Sequence, residues 1–300
     1  MDQLETRAEI ALALDHLDRH RSVSSDPGEL TAMLYASWYA RPVRQVRLPE
    51  DFPADLVQVL RAADVMGRRW QRGWIVDRLA VDGRVIARRK GAVRMGDRVD
   101  YVGATHPGIL PAVGAEIVMT GRRDRIDADR AWWRAANAAW RFGRGEPGLV
   151  RLYWSVHVDQ LPAFVERLTE LLADERRPWM AKCAVDPAVH ARADATVLYL
   201  SGDLARERAE GFARLADILA SAMHPAVPPL TMRVRPGLGA AADPDGSSSF
   251  GLHRCEQIVA AAEGSPAPTV DVVVDRLESA GLSLRRPFAM AGEPALPWER

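Results

Sequence analysis

WMAKCAV, residues 179–185, and DATVLYL, residues 194–200, are two strand-like runs joined by a short segment. Side chains alternate between the two faces of a strand. In the first run Lys182 therefore shares a face with Met180, while Trp179, Cys183 and Val185 face the other way. The lysine stands out. The chain carries 40 Lys+Arg residues, and only two of them, Lys90 and Lys182, are lysines. A GC-rich genome accounts for scarce lysine, but not for one kept inside an apolar strand.

Two more strand-like runs lie nearby. In RLYWSVHV, residues 151–158, the residues Arg151, Tyr153, Ser155 and His157 share one face. In LTMRVR, residues 230–235, Arg233 and Arg235 oppose Met232 and Val234. Three strands thus have one apolar face and one cationic or phenolic face. Aligned, those faces form a concave basic surface; the ordinary alternative is a solvated outer sheet face. Amphipathic spacing predicts helices over 159–175, 204–223, 251–264 and 269–281. PGLGAAADPDGSSS, residues 236–249, reads as a loop, and the tail after Leu284 as irregular. The mixed order implies an α+β fold, a mixed or antiparallel sheet with flanking helices, rather than a doubly wound one.

The first half reads differently. Helical spacing covers 4–20, 26–40 and 53–66. A hairpin follows over 74–91, turning at Asp82-Gly83, with short strands in 96–103 and 114–121. DADRAWWRAANAAWRF, residues 127–142, reads as a helix bearing Trp132, Trp133 and Trp140. The glycines of 143–148 then mark a boundary. Two units are expected: 1–145, a helical and β-hairpin module suited to binding a peptide or partner, and 146–300, the catalytic core.

Composition narrows the function. At 300 residues, 48% hydrophobic and 27% charged, the chain is a soluble globular type. Its charges balance, 40 against 40, which argues against a general binder of nucleic acid or anionic membrane. No apolar run approaches the roughly 18 residues that span a bilayer. MDQLETRAEI lacks the basic and apolar regions of a secretion signal, so a cytoplasmic location is expected. Cys183 and Cys255 build neither a disulfide framework nor a zinc site. No metal motif is present. GLGAAA, residues 237–242, has dinucleotide-loop glycines, but DPDGSSS follows where a helix is required. No cofactor is implied.

Local basic groups nevertheless gather. Arg192 and Asp194 precede an apolar strand, and His253 and Arg254 open a helix, whose N-terminus favours anions. With Lys182 they suggest a pocket for a phosphoryl dianion.

RLYWSV, AKCAVDPAVHARADATVLYL and PPLTMRVRPGLGAAADPDGSSSFGLHRC resemble the sequence blocks of the HopA-type effector family, over about residues 149–265. Bacterial relatives of that family include the lyase components of class V lanthipeptide and thioamitide biosynthesis. The resemblance implies a lyase similar in activity to phosphothreonine lyases. A kinase-like subunit phosphorylates Ser or Thr of a precursor peptide, and the lyase eliminates phosphate to leave dehydroalanine or dehydrobutyrine. A non-catalytic phosphopeptide-binding scaffold is the alternative.

Elimination needs a base for the Cα proton and help for the leaving phosphate. Arginine stays protonated, whereas lysine becomes a base once burial and neighbouring cations lower its pKa. The expected assignment is Lys182 as base, His253 as acid with His190 and His157 as alternatives, and Asp194 orienting Arg192 or the lysine. Arg192, Arg254 and Arg235 would hold phosphate. Arg151, Tyr153 and His190 would contact the peptide.

Overall fold

The computed structural model describes residues 2–43, 52–53, 55–121, 123–141, 148–243, 249–264 and 268–299. Most of the glycine-rich boundary of 143–148 and most of DPDGSSS lie outside these residues.

Three helices come first: α1 (Gln3–Arg21), α2 (Pro27–Leu34), which runs on into a π-helical turn (Tyr35–Tyr39), and α3 (Leu56–Ala63). Asp2 starts α1 by accepting a hydrogen bond from the Glu5 amide while the Glu5 carboxylate accepts one from the Asp2 amide. Strands β1 (Trp70–Leu79), β2 (Val85–Arg89), β3 (Ala92–Gly96), β4 (Tyr101–Gly103) and β5 (Glu116–Thr120) form a five-stranded sheet in the order β3-β2-β1-β5-β4. The hairpin turn at Gly83 has φ +82°, the left-handed value that glycine adopts without strain.

A seven-stranded sheet holds β6 (Asp124–Ile126), β7 (Trp132–Ala136), β8 (Leu149–Trp154), β9 (Trp179–Ala184), β10 (Thr196–Ser201), β11 (Met232–Arg235) and β12 (Leu238–Ala242). Its order is β11-β12-β8-β10-β9-β7-β6, with every neighbouring pair antiparallel. The remaining helices are α4 (Leu161–Leu171), α5 (Pro187–His190), α6 (Gly202–Glu207), α7 (Ala209–Ile218), α8 (Phe250–Ala262) and α9 (Val270–Ser279). The α+β reading holds, and both sheets are antiparallel.

Three local readings are corrected. The tryptophan-rich segment is strand β7, not a helix. Its alanines favour helix intrinsically, but pairing with β9 on one side and β6 on the other overrides that preference. Residues 236–249 are not one loop, because 238–242 form β12, buried along its whole length. A strand buried on both faces shows no alternation. Its glycine serves close packing: a Cβ on Gly239 would lie 2.9 Å from the Thr231 hydroxyl oxygen. The expected long helix over 204–223 is broken at Arg208 into α6 and α7. The five-stranded sheet ends at Thr120 and the seven-stranded sheet begins at Asp124.

One face of the larger sheet, carrying Leu152, Trp154, Trp179, Cys183 and Leu198, is fully buried. Trp154 packs there on Phe164 of α4, with ring centroids 5.1 Å apart. The opposite face carries Lys182. Helices α1, α2, α8 and α9 pack together, and Tyr39 and Phe250 join α8 to the π-helical turn.

Candidate active site

Strand register builds the site. Arg134, Lys182, Val197 and Tyr153 stand opposite one another across β7, β9, β10 and β8. The next row holds Met180, Tyr199 and Arg151. The side chains of this face meet Tyr35 and Tyr39 from the π-helical turn and Ser249 and Gly251 from the start of α8, enclosing a narrow pocket.

Each arginine here has a carboxylate partner. Arg192 grips Asp194 through two bonds, Nε to Oδ1 at 2.7 Å and Nη2 to Oδ2 at 2.6 Å. Arg192 Nη2 also donates to the Tyr35 hydroxyl at 2.8 Å, which donates on to Asp194 at 3.1 Å. Arg151 pairs with Asp243 at 2.5 Å, both buried. Arg134 holds Asp127 in a fork at 2.6–3.0 Å.

Lys182 is arranged otherwise. Its Nζ lies 3.6 Å from the centroid of the Trp132 ring, and among the described residues no carboxylate is within ion-pair distance of it. Burial pulls its pKa down to about 8, Arg134 and Arg192 add to the effect, and Asp194 and Asp127 oppose it. A minor fraction of the amine, on the order of a tenth, is thus neutral near pH 7, far more than for an ordinary lysine. Burial raises the pKa values of Tyr35, Tyr39 and Tyr153, so these phenols stay protonated as donors.

Of the sequence candidates, Lys182, Asp194, Arg192, Arg151 and Tyr153 come together in the pocket. The others lie elsewhere. Arg254 is buried and points to the C-terminal tail, donating to the carbonyls of Pro287 at 2.9 Å and Ala289 at 2.6 Å and to Gln257 at 2.6 Å. Burial pulls it down to about 10, against the influence of Tyr39 and Tyr153. Arg235 pairs on the surface with Asp217 of α7 at 3.0 Å. His253 sits beside Glu256 on a half-exposed face of α8, and His190 packs edge-on against Phe52. No described histidine, His157 included, lines the pocket.

The sequence reading missed Tyr35, Tyr39, Trp132, Arg134, Tyr199, Asp243, Ser249 and Gly251. Alternation alone places Tyr199 on the Lys182 face, and a strand reading of 132–136 would have added Trp132 and Arg134. Gly251 has a steric reason to be glycine: a Cβ there would fall 2.2 Å from the Tyr39 ring.

The model of the HopA1 effector protein family matches residues 125–289, more than half of the chain. The fold is similar to two solved structures of effector proteins from Pseudomonas syringae. The one from pv. tomato strain DC3000 is 14% identical with a TM-score of 0.55, covering 95% of this chain and 99% of that one. The one from pv. syringae strain 61 is 13% identical with a TM-score of 0.57, covering 97% and 99%. Among curated protein sequences, none matches.

Proposed function

The chain belongs to the HopA1 effector protein family, and on that footing we propose that it is a lyase for phosphorylated Ser or Thr in a ribosomally made precursor peptide, with a kinase-like subunit as the source of the phosphate. The observation that carries this reading is Lys182: a deprotonatable amine over Trp132, among arginines already matched by aspartates. In the proposed step neutral Nζ takes the Cα proton. The C–H electron pair becomes the new C=C bond, the Cβ–O bond breaks, and phosphate leaves with that bond's electrons towards Arg192 and Arg151. Arg192 is held for this by Asp194 and Tyr35. With no described histidine in the pocket, the phenols of Tyr153 and Tyr39 take the donor role towards the peptide carbonyl or the leaving oxygen.

A second reading has one observation in its favour. No described histidine lines the pocket, and burial raises its phenols above their ordinary pKa, so the groups offered to a leaving phosphate are weak acids, as suits a pocket that docks a phosphopeptide without reacting. Mass spectrometry of a phosphorylated precursor incubated with the protein separates the two. Loss of the elements of phosphoric acid supports the lyase, and an unchanged phosphopeptide that remains bound supports the scaffold.

A further inference from the structure

Beyond the pocket, a groove of about 670 Å³ runs between the two sheets. Its walls are β3 and β6, each an edge strand with a neighbour on one side only among the described strands. Val93 and Met95 of β3 stand largely exposed there, at 69% and 63%. Arg94, Arg123, Arg125 and Arg141 line it together with Asp100 and Asp124. Asp124 is already held by Arg61 at 2.6 Å. Arg123 donates to the carbonyls of Asn137 and Trp140, and Arg141 donates to that of Ala138. Neither makes an ion pair with a described carboxylate. Burial, and Arg141 beside it, pull Arg123 below the ordinary arginine value, as expected of crowded cations.

Strand register sets the distance between the groove and the pocket, whose linings share no described residue. Arg125 of β6 stands opposite Arg134 of β7, which stands opposite Lys182 of β9. That row places Arg125 two strand spacings from Lys182, about 10 Å, or roughly three residues of extended chain. A peptide with its phosphorylated residue over Lys182 would carry its flanking side chains across Arg134 and Arg125 into the groove.

We propose that this groove is a specificity subsite for an acidic, extended segment of the substrate peptide, beginning about three residues from the phosphorylated residue. The positive excess at Arg123 and Arg141 selects carboxylate side chains, and Val93 and Met95 cover the apolar parts between them. The proposal rests on the phosphopeptide reading above, but its test needs no turnover.

The probe is a fluorescein-labelled phosphoserine peptide with glutamates on both flanks, compared with one bearing glutamines instead, by anisotropy at low salt. The expected result is about tenfold tighter binding of the glutamate peptide, with the advantage falling as salt is raised. Arg123→Gln/Arg141→Gln should abolish the preference, and Lys182→Arg should keep it. Val93→Asp, at an exposed position that tolerates charge, should weaken the glutamate peptide while leaving the fold intact. Equal affinities for the two peptides, or a preference untouched by both groove variants, would overturn the subsite. So would an oligothymidylate binding as tightly as the glutamate peptide, because the surface would then be a nucleic-acid one. A preference without any elimination would refute the lyase and leave the groove standing.

Discussion

Lys182 and Arg254 are both cations that burial pulls down, to about 8 and about 10, yet they sit in opposite circumstances. Arg254 is spent on the fold: all three of its guanidinium nitrogens donate, to two tail carbonyls and Gln257, and so tie α8 to the chain end. Lys182 rests on an aromatic ring and faces a pocket. The difference is one of direction: Arg254 turns its donors into the fold, whereas Lys182 turns its amine into a cavity. Fold and reactivity thus draw on different cations of one region.

The comparison breaks most visibly at Arg254. Arg254→Ala should cost about 2–4 kcal/mol of stability, because it strands two buried carbonyls. Chemical denaturation measures this. A variant of native stability with lost phosphopeptide binding would mean that Arg254 serves the pocket instead. Next is Gly251→Ala, which presses a methyl into the Tyr39 ring. A loss of about 1–3 kcal/mol is expected, partly recovered in the Gly251→Ala/Tyr39→Ala pair. Additive losses in that double-mutant cycle would show that the two do not meet. The smallest effect belongs to Tyr35→Phe. It removes the hydroxyl shared by Arg192 and Asp194 and should cost about 1 kcal/mol, while keeping the Arg192–Asp194 fork. Turnover should fall through KM for phosphopeptide more than through kcat if Tyr35 only positions Arg192. A kcat collapse with unchanged KM would give the phenol a direct part.

How much was legible follows from range in sequence. Strand period alone put Lys182 on the polar face of β9, and Arg151 and Tyr153 on that of β8. The pairing of Arg192 with Asp194 is local, two residues apart, and was also readable. Tyr35 reaches Arg192 across 157 positions, and nothing in either segment announces the contact. Trp132 and Arg134 were hidden by alanine neighbours that mimic a helix, since only pairing with β9 reveals the strand. Arg254 was placed on the right helix but turned the wrong way. Its direction is set by Pro287 and Ala289, in a tail whose sequence looked merely irregular.

The central claim is that Lys182 is a base, and Lys182→Arg tests it most directly because it keeps the positive charge and removes the titratable amine. Phosphopeptide binding and phosphate release should be measured on the same samples across pH. Because the Lys182 pKa is depressed to about 8, the neutral amine gains population as pH rises, so wild-type release should climb with pH and level off above about 8. Lys182→Arg should bind phosphopeptide within a few-fold of wild type and, on the wild-type plateau above about pH 8, release phosphate about 10²–10⁴-fold more slowly. Near-wild-type release by Lys182→Arg, or wild-type release that does not change with pH through this range, would contradict the account.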